Sequence, residues 1–286
     1  MTRTAAVAPW PLVALLAGSV LLAFGPLLVR LADVAPAASA FWRMALAAPL
    51  VVAFALWRQP AGMLPVRALP WGLGLLGGLF FALDLLAWHL GIVRTSLGNA
   101  TLFANTTAFM LVAWGMIMLG ERPERRTAIA LALGLAGTLL LLAVSAEISP
   151  QNLVGDLLSL AAAVFYLFYL LVVMQMRAVL GTAAVLALAT VAGALFLLPA
   201  ALALGGTFWP TDWRPVVALA LSSQVVGQGL IILASGRLPA TVLGLGLLLQ
   251  PVVSAAAGWA MFGEALLPIQ ALGAAMVLAG LALVRR

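Results

Sequence analysis

Runs of roughly 20 apolar residues, separated by short joins, recur from one end of this chain to the other. About 20 residues of helix cross the hydrocarbon core of a bilayer. The rest of the composition leaves no soluble alternative. Hydrophobic residues make up 65% of the 286 positions and charged residues 8%, with a mean hydropathy of +1.21. Soluble domains average about 45–50% apolar and about 25% charged, because a globule needs a polar shell. Membrane β-barrels show segments of about 10 residues that alternate polar and apolar, and no such alternation occurs here. The expected fold class is therefore an all-α polytopic membrane protein.

Spans are expected at approximately 10–30, 37–56, 70–92, 97–118, 127–144, 153–173, 183–204, 214–235, 239–261 and 266–284. The joins carry turn and helix-breaking residues, among them Asp33 to Pro36, Gly205 to Gly206 and Pro210 to Asp212. Trp57, Trp71, Trp209 and Trp213 fall near expected ends, where indoles favour the headgroup region. The opening MTRTAAVAPW has a short basic stretch before an apolar run to about Leu28, with no convincing small-residue cleavage site, and reads as an uncleaved first span.

All 14 basic residues are arginine. With the N-terminus in the cytoplasm, Arg3, Arg58, Arg67, Arg122, Arg125, Arg126, Arg177, Arg237, Arg285 and Arg286 lie inside, and Arg30, Arg94 and Arg214 outside. That asymmetry follows the positive-inside rule and puts both termini in the cytoplasm. It also explains the net charge of +6 without invoking nucleic acid.

The pattern MLGE at 118–121 returns as MFGE at 261–264, 143 positions later and half the chain away. At the same offset Arg94 matches Arg237, Gly115 matches Gly258 and Gly137 matches Gly280. The expected organisation is two five-span halves, about 1–146 and 152–286, forming one membrane domain. Five is odd, so the second half enters the bilayer inverted, an arrangement that puts a substrate site near the midplane between the halves. In each Gly-Glu the glycine is expected to end the fourth span of its half. The glutamate is expected to complement the N-terminal dipole of the following helix.

The motifs MLGERPERRTAIALALGLAG and MFGEALLPIQALGAAMVLAG, with FWRMALAAPL in the second span, resemble the EamA-like branch of the drug/metabolite transporter superfamily. The resemblance covers nearly the whole chain. It implies ten helices around a central cavity, and movement of small metabolites, often export of amino acids or toxic compounds. The short loops resemble bacterial members, and hence an inner-membrane location. Among these the chain is similar to the aromatic amino-acid exporters called YddG. One departure separates the halves: Leu186 stands where Arg43 would have its counterpart.

Polar groups inside spans are costly and usually face a bundle interior or a cavity. Arg43 and Asp84 lie roughly 9 and 12 Å below the outer edges of adjacent spans, at 1.5 Å per residue. They are expected to pair, either as a structural clamp or as part of transport. Span four carries Asn99, Asn105 and Thr106; span eight carries Gln224 and Gln228 at i, i+4. Amides hydrogen-bond both ammonium and carboxylate groups. Singly they also serve as interhelical bonds; as a cluster they point to a cavity lining. Trp88, Tyr166 and Trp259 are the aromatic candidates for that lining. His89, near the outer end of span three, is a candidate proton site or an interfacial hydrogen-bonding group. Gln250-Pro251 interrupts the hydrogen-bond ladder of span nine.

An intramembrane enzyme is the main alternative. An aspartyl dyad needs two facing aspartates, and Asp84 has no mid-span partner. With one histidine and no cysteine, the chain is poor in metal ligands. A lysine-dependent ATP-binding loop is absent from the sequence, and no cofactor is expected. A non-transporting, lipid-interacting protein is the other alternative, and it needs no polar cluster between the halves. The expected partners are a small-molecule substrate and the lipid bilayer. Oligomeric state is not legible in the residues.

Overall fold

The computed structural model describes residues 9–58, 69–95, 97–143, 150–262 and 267–284, and every described element is helical. Helices α1 (Pro9–Ala23) and α2 (Gly25–Leu31) form one interrupted rod, followed by α3 (Pro36–Trp57) and α4 (Trp71–Ile92). Next come α5 (Leu97–Ala104), α6 (Thr106–Ile117) and α7 (Arg125–Ala143). The second half begins with α8 (Leu153–Arg177) and α9 (Thr182–Ala203). A π-containing rod joins α10 (Arg214–Ala218), a π-helical stretch (Leu219–Gln228) and α11 (Gly229–Ser235). Then follow α12 (Ala240–Leu247), α13 (Leu249–Phe262) and α14 (Pro268–Val284).

Among the described residues, eight helical stretches are long and apolar enough to cross a membrane. They coincide with eight of the ten expected spans. The other two expected spans fall on α7 and on α14, a shorter apolar helix of 17 residues, and these two helices pack against each other.

The 143-residue period extends to element boundaries. Helix α5 at 97–104 has its counterpart in α12 at 240–247, and the rod at 71–92 has its counterpart at 214–235. Asn105, which separates α5 from α6, corresponds to Leu248, which separates α12 from α13. Part of the packing follows the same exchange: α7 lies against α14, its own counterpart, and α4 packs on α8 as α11 packs on α1. At the α7–α14 crossing, a Cβ on Gly137 would sit 2.5 Å from the Gly273 carbonyl oxygen. Its counterpart is Gly280, where a Cβ would sit 2.7 Å from the Ala130 carbonyl oxygen. Small residues let membrane helix backbones approach this closely.

Long-range hydrogen bonds join the helix ends. Asp33 Oδ2 accepts from the backbone amides of Thr211 and Asp212 at 2.9 and 3.1 Å, and from the Thr211 hydroxyl. Trp42 Nε1 donates to the Phe208 carbonyl at 2.7 Å, and its indole packs on Trp209 and Trp213. Trp42 thus belongs to an aromatic plug beneath the 204–213 join. Arg30 donates to the carbonyls of Ile92 and Thr95.

Gly120 takes φ 65°, the left-handed conformation that ends α6 as expected. Glu121 departs from expectation. It bonds not to the following helix but to the N-terminus of α12 in the other half: its Oε1 and Oε2 accept the amides of Ala240 and Thr241, each at 2.9 Å. The N-cap residue there is Pro239, whose side chain offers no acceptor, so Glu121 supplies the missing one. Glu264 lies outside the described residues.

Candidate functional site

A polar cavity of about 70 Å³ lies where the interrupted helices α5–α6 and α12–α13 meet α3, α4 and α8. The first half contributes Arg43, Asp84, Trp88 and Asn105, and the second half Tyr166, Gln228, Leu247 and Gln250. Asn105 borders it because α5 stops there; its side-chain amide turns back to donate to the Thr101 carbonyl at 2.7 Å. Gln250 and Leu247 flank the matching break at Leu248, where Pro251 enters the first turn of α13. Gln228 is held by its Nε2, which donates to Tyr166 Oη at 3.2 Å. Tyr166 in turn stacks with Tyr169, and Tyr169 with Phe81.

Two larger hollows, of about 750 and 350 Å³, lie between α3, α9 and the π-containing rod and between α3, α4 and α9. Among the described residues, Arg58 is the one charged side chain lining them. Their apolar walls suit lipid chains better than a polar solute, so the small polar cavity is the candidate site despite its size.

The expected contact between Arg43 and Asp84 is not made. Both are buried and line the cavity, but no Arg43 nitrogen comes within 4.0 Å of an Asp84 oxygen. Equal depth along two helices left their lateral separation open. Arg43 Nε instead donates to Gln224 Oε1 at 3.3 Å, and Gln224 Nε2 donates to Thr190 Oγ1 at 3.0 Å. Gln224 therefore reaches the site through Arg43 and does not itself line it. The guanidinium lies 5.8 Å from the Phe81 ring centroid.

Four further sequence candidates stand elsewhere. Asn99 Nδ2 donates to Asp156 Oδ1 at 3.0 Å, beside the Thr95 hydroxyl at 2.6 Å, tying α5 to the start of α8. Thr106 turns its hydroxyl to the Phe103 carbonyl at 2.6 Å. Trp259 is 59% exposed on the outside of α13. His89 is fully buried rather than interfacial; the Pro36 carbonyl is nearby, but neither ring nitrogen makes a hydrogen bond of standard geometry. No residue pattern marks Thr190, which only the tertiary packing of α9 on the π-helical stretch brings to Gln224. Phe81 was detectable in principle, because it precedes Asp84 by one helical turn.

A multi-span helical protein with a polar chamber shared between two related halves is a membrane transporter in architecture. The chain belongs to the EamA-like transporter family, whose model matches it twice, over residues 9–143 and 153–286. An uncharacterized transporter of Archaeoglobus fulgidus is 29% identical over 203 residues, which is 68% of this chain and 66% of that relative. The chain thus spans just under two thirds of the relative's length. A solved structure, described only as the crystal structure of a protein, superimposes with a TM-score of 0.74 at 23% identity and covers 96% of this chain and 95% of its own. That likeness supports the fold. The family and the relative support a membrane transporter, while the YddG type is not distinguished by either.

Proposed function

We propose that this protein is a secondary transporter or facilitator that exports small metabolites, amino acids in particular, across a bacterial inner membrane. The carrying observation is the pair of helix breaks at Asn105 and Leu248, one in each half, bordering the same polar cavity. Interrupted helices at corresponding positions of two repeats are where transporters build substrate sites. In this reading the halves 1–146 and 152–286 are inverted five-span repeats, with α7 and α14 as the fifth and tenth spans. They rock to expose the cavity to each side in turn.

The loop contacts support this topology. With the N-terminus inside, Asp33 and Thr211 both lie outside, as do Thr95 and Asp156, whereas Glu121 and Ala240 both lie inside. Every one of these bonds joins groups on a single side. The chain carries no lysine for a phosphate-binding loop, so transport is driven by a gradient or equilibrates the solute.

The cavity, at about 70 Å³, is smaller than the roughly 300–1,000 Å³ of common ligand pockets. A bulky side chain is admitted only as the walls part. The aromatic walls Phe81, Trp88 and Tyr166 favour an aromatic side chain in that opened state.

Uptake by purified protein in liposomes, across a panel of amino acids, sugars and organic acids with and without a pH gradient, tests the reading. Saturable uptake of at least one amino acid above protein-free vesicles is expected. Folded protein that moves no solute of the panel contradicts it.

A further inference from the structure

We infer that Arg43 and Asp84 form a two-point clamp for a zwitterion, Arg43 taking the carboxylate of the solute and Asp84 its ammonium group. The inference rests on the transport reading above and assigns the recognition chemistry of its cavity.

An arginine and an aspartate are buried in one polar chamber, and they do not pair by contact. Leaving a full charge unpaired in a membrane interior is expensive, so such residues mark ligand or ion pathways. Arg43 is also held in place. Its Nε is engaged by Gln224, which Thr190 holds from behind, so one edge of the guanidinium is fixed by protein. Its two Nη groups donate to no acceptor among the described residues. That free edge carries the parallel N–H pair that matches a carboxylate.

Asp84 makes no hydrogen bond and no ion pair among the described residues, although it borders the same space. Its oxygens are left to accept from a donor inside the cavity. A solute with a carboxylate and an ammonium group on one carbon satisfies both residues at once and fits a small chamber. A singly charged solute leaves one buried charge without a partner.

The halves are unequal here for a reason this clamp supplies. The counterparts of Arg43 and Asp84 are Leu186 and Gly227, neither of which can bind a charge. Both charges come from the first half, so the zwitterion has one orientation in an otherwise pseudo-symmetric chamber.

The test is counterflow in proteoliposomes with glycine, serine and phenylalanine, each compared with its methyl ester and its N-acetyl derivative. The ester lacks the anion and the N-acetyl form lacks the cation. The expected result is exchange of at least one free amino acid, with both derivatives at least tenfold slower. Arg43→Gln should lower the discrimination against the ester at least fivefold, and Asp84→Asn that against the N-acetyl form.

The derivative series uses the unaltered protein and decides the question even if a variant folds poorly. Esters or N-acetyl forms moving as fast as the free amino acids overturn the clamp. So does a panel in which only sugars or singly charged solutes move, which leaves the transport reading intact. If no solute of any kind moves through folded protein, both fall.

Discussion

Glu121 in the first half caps the helix that begins at Ala240 in the second, its two carboxylate oxygens accepting the amides of Ala240 and Thr241 at 2.9 Å each. A helix start has unsatisfied amides and a positive dipole end, and a carboxylate serves both. Losing an N-terminal cap costs about 0.5–2 kcal/mol. Glu121→Ala is therefore expected to lower the unfolding temperature in detergent, with Glu121→Gln intermediate because it keeps one acceptor. Equal stability of all three forms would contradict the capping role.

Asn99 and Asn105 separate stability from substrate handling. Asn99 holds Asp156, which also accepts from Thr95, whereas Asn105 borders the cavity at a helix break. Asn99→Ala should reduce stability by about 1–3 kcal/mol, the cost of depriving a charged group of a bond, and leave the apparent affinity for solute within twofold. Asn105→Ala should weaken that affinity more than it weakens the fold. Thermal unfolding paired with concentration-dependent uptake reads both.

The α7–α14 crossing should respond symmetrically. A methyl group at Gly137 or at Gly280 meets a carbonyl oxygen at 2.5 or 2.7 Å, so the helices must move apart. Gly137→Ala and Gly280→Ala are each expected to cost about 1–3 kcal/mol, as overpacking does. Comparable losses in the two variants would reflect the repeat; a large loss in only one would not.

Asp33 gives the outer joins a pH dependence. The Thr211 hydroxyl, then the Asp212 amide, hold its carboxyl below the ordinary carboxylate value of 3.8. A folded value below the unfolded one means the contact stabilises fully above the ordinary range and is lost as pH falls through the depressed value. Protection of the Thr211 and Asp212 amides, corrected for intrinsic exchange, should be constant from pH 7 to about pH 5 and fall in stronger acid. Asp33→Asn should reduce that protection at neutral pH.

Much of the frame was visible in residue order, because membrane helices need long apolar runs and a duplicated unit repeats its turns. The breaks at Asn105 and Leu248 show this: the amide cluster and Gln250-Pro251 pointed to both regions. Orientation around each helix axis was not visible. Asn99 and Asn105 lie in the same stretch, yet one braces Asp156 and the other borders the cavity. Trp259 faces outward for the same reason. Glu121 and Ala240 are 119 positions apart, and no local pattern links them.

One cavity between the halves is expected to open to each side of the membrane in turn. The chain has no cysteine, so Asn105→Cys places a single thiol at the cavity wall. Labelling that thiol with a membrane-impermeant maleimide, added separately to each face of oriented proteoliposomes, tests the claim most directly. Labelling from both faces, slowed by a transported amino acid, is the predicted result. Labelling from one face only, with or without solute, would contradict alternating exposure of the site.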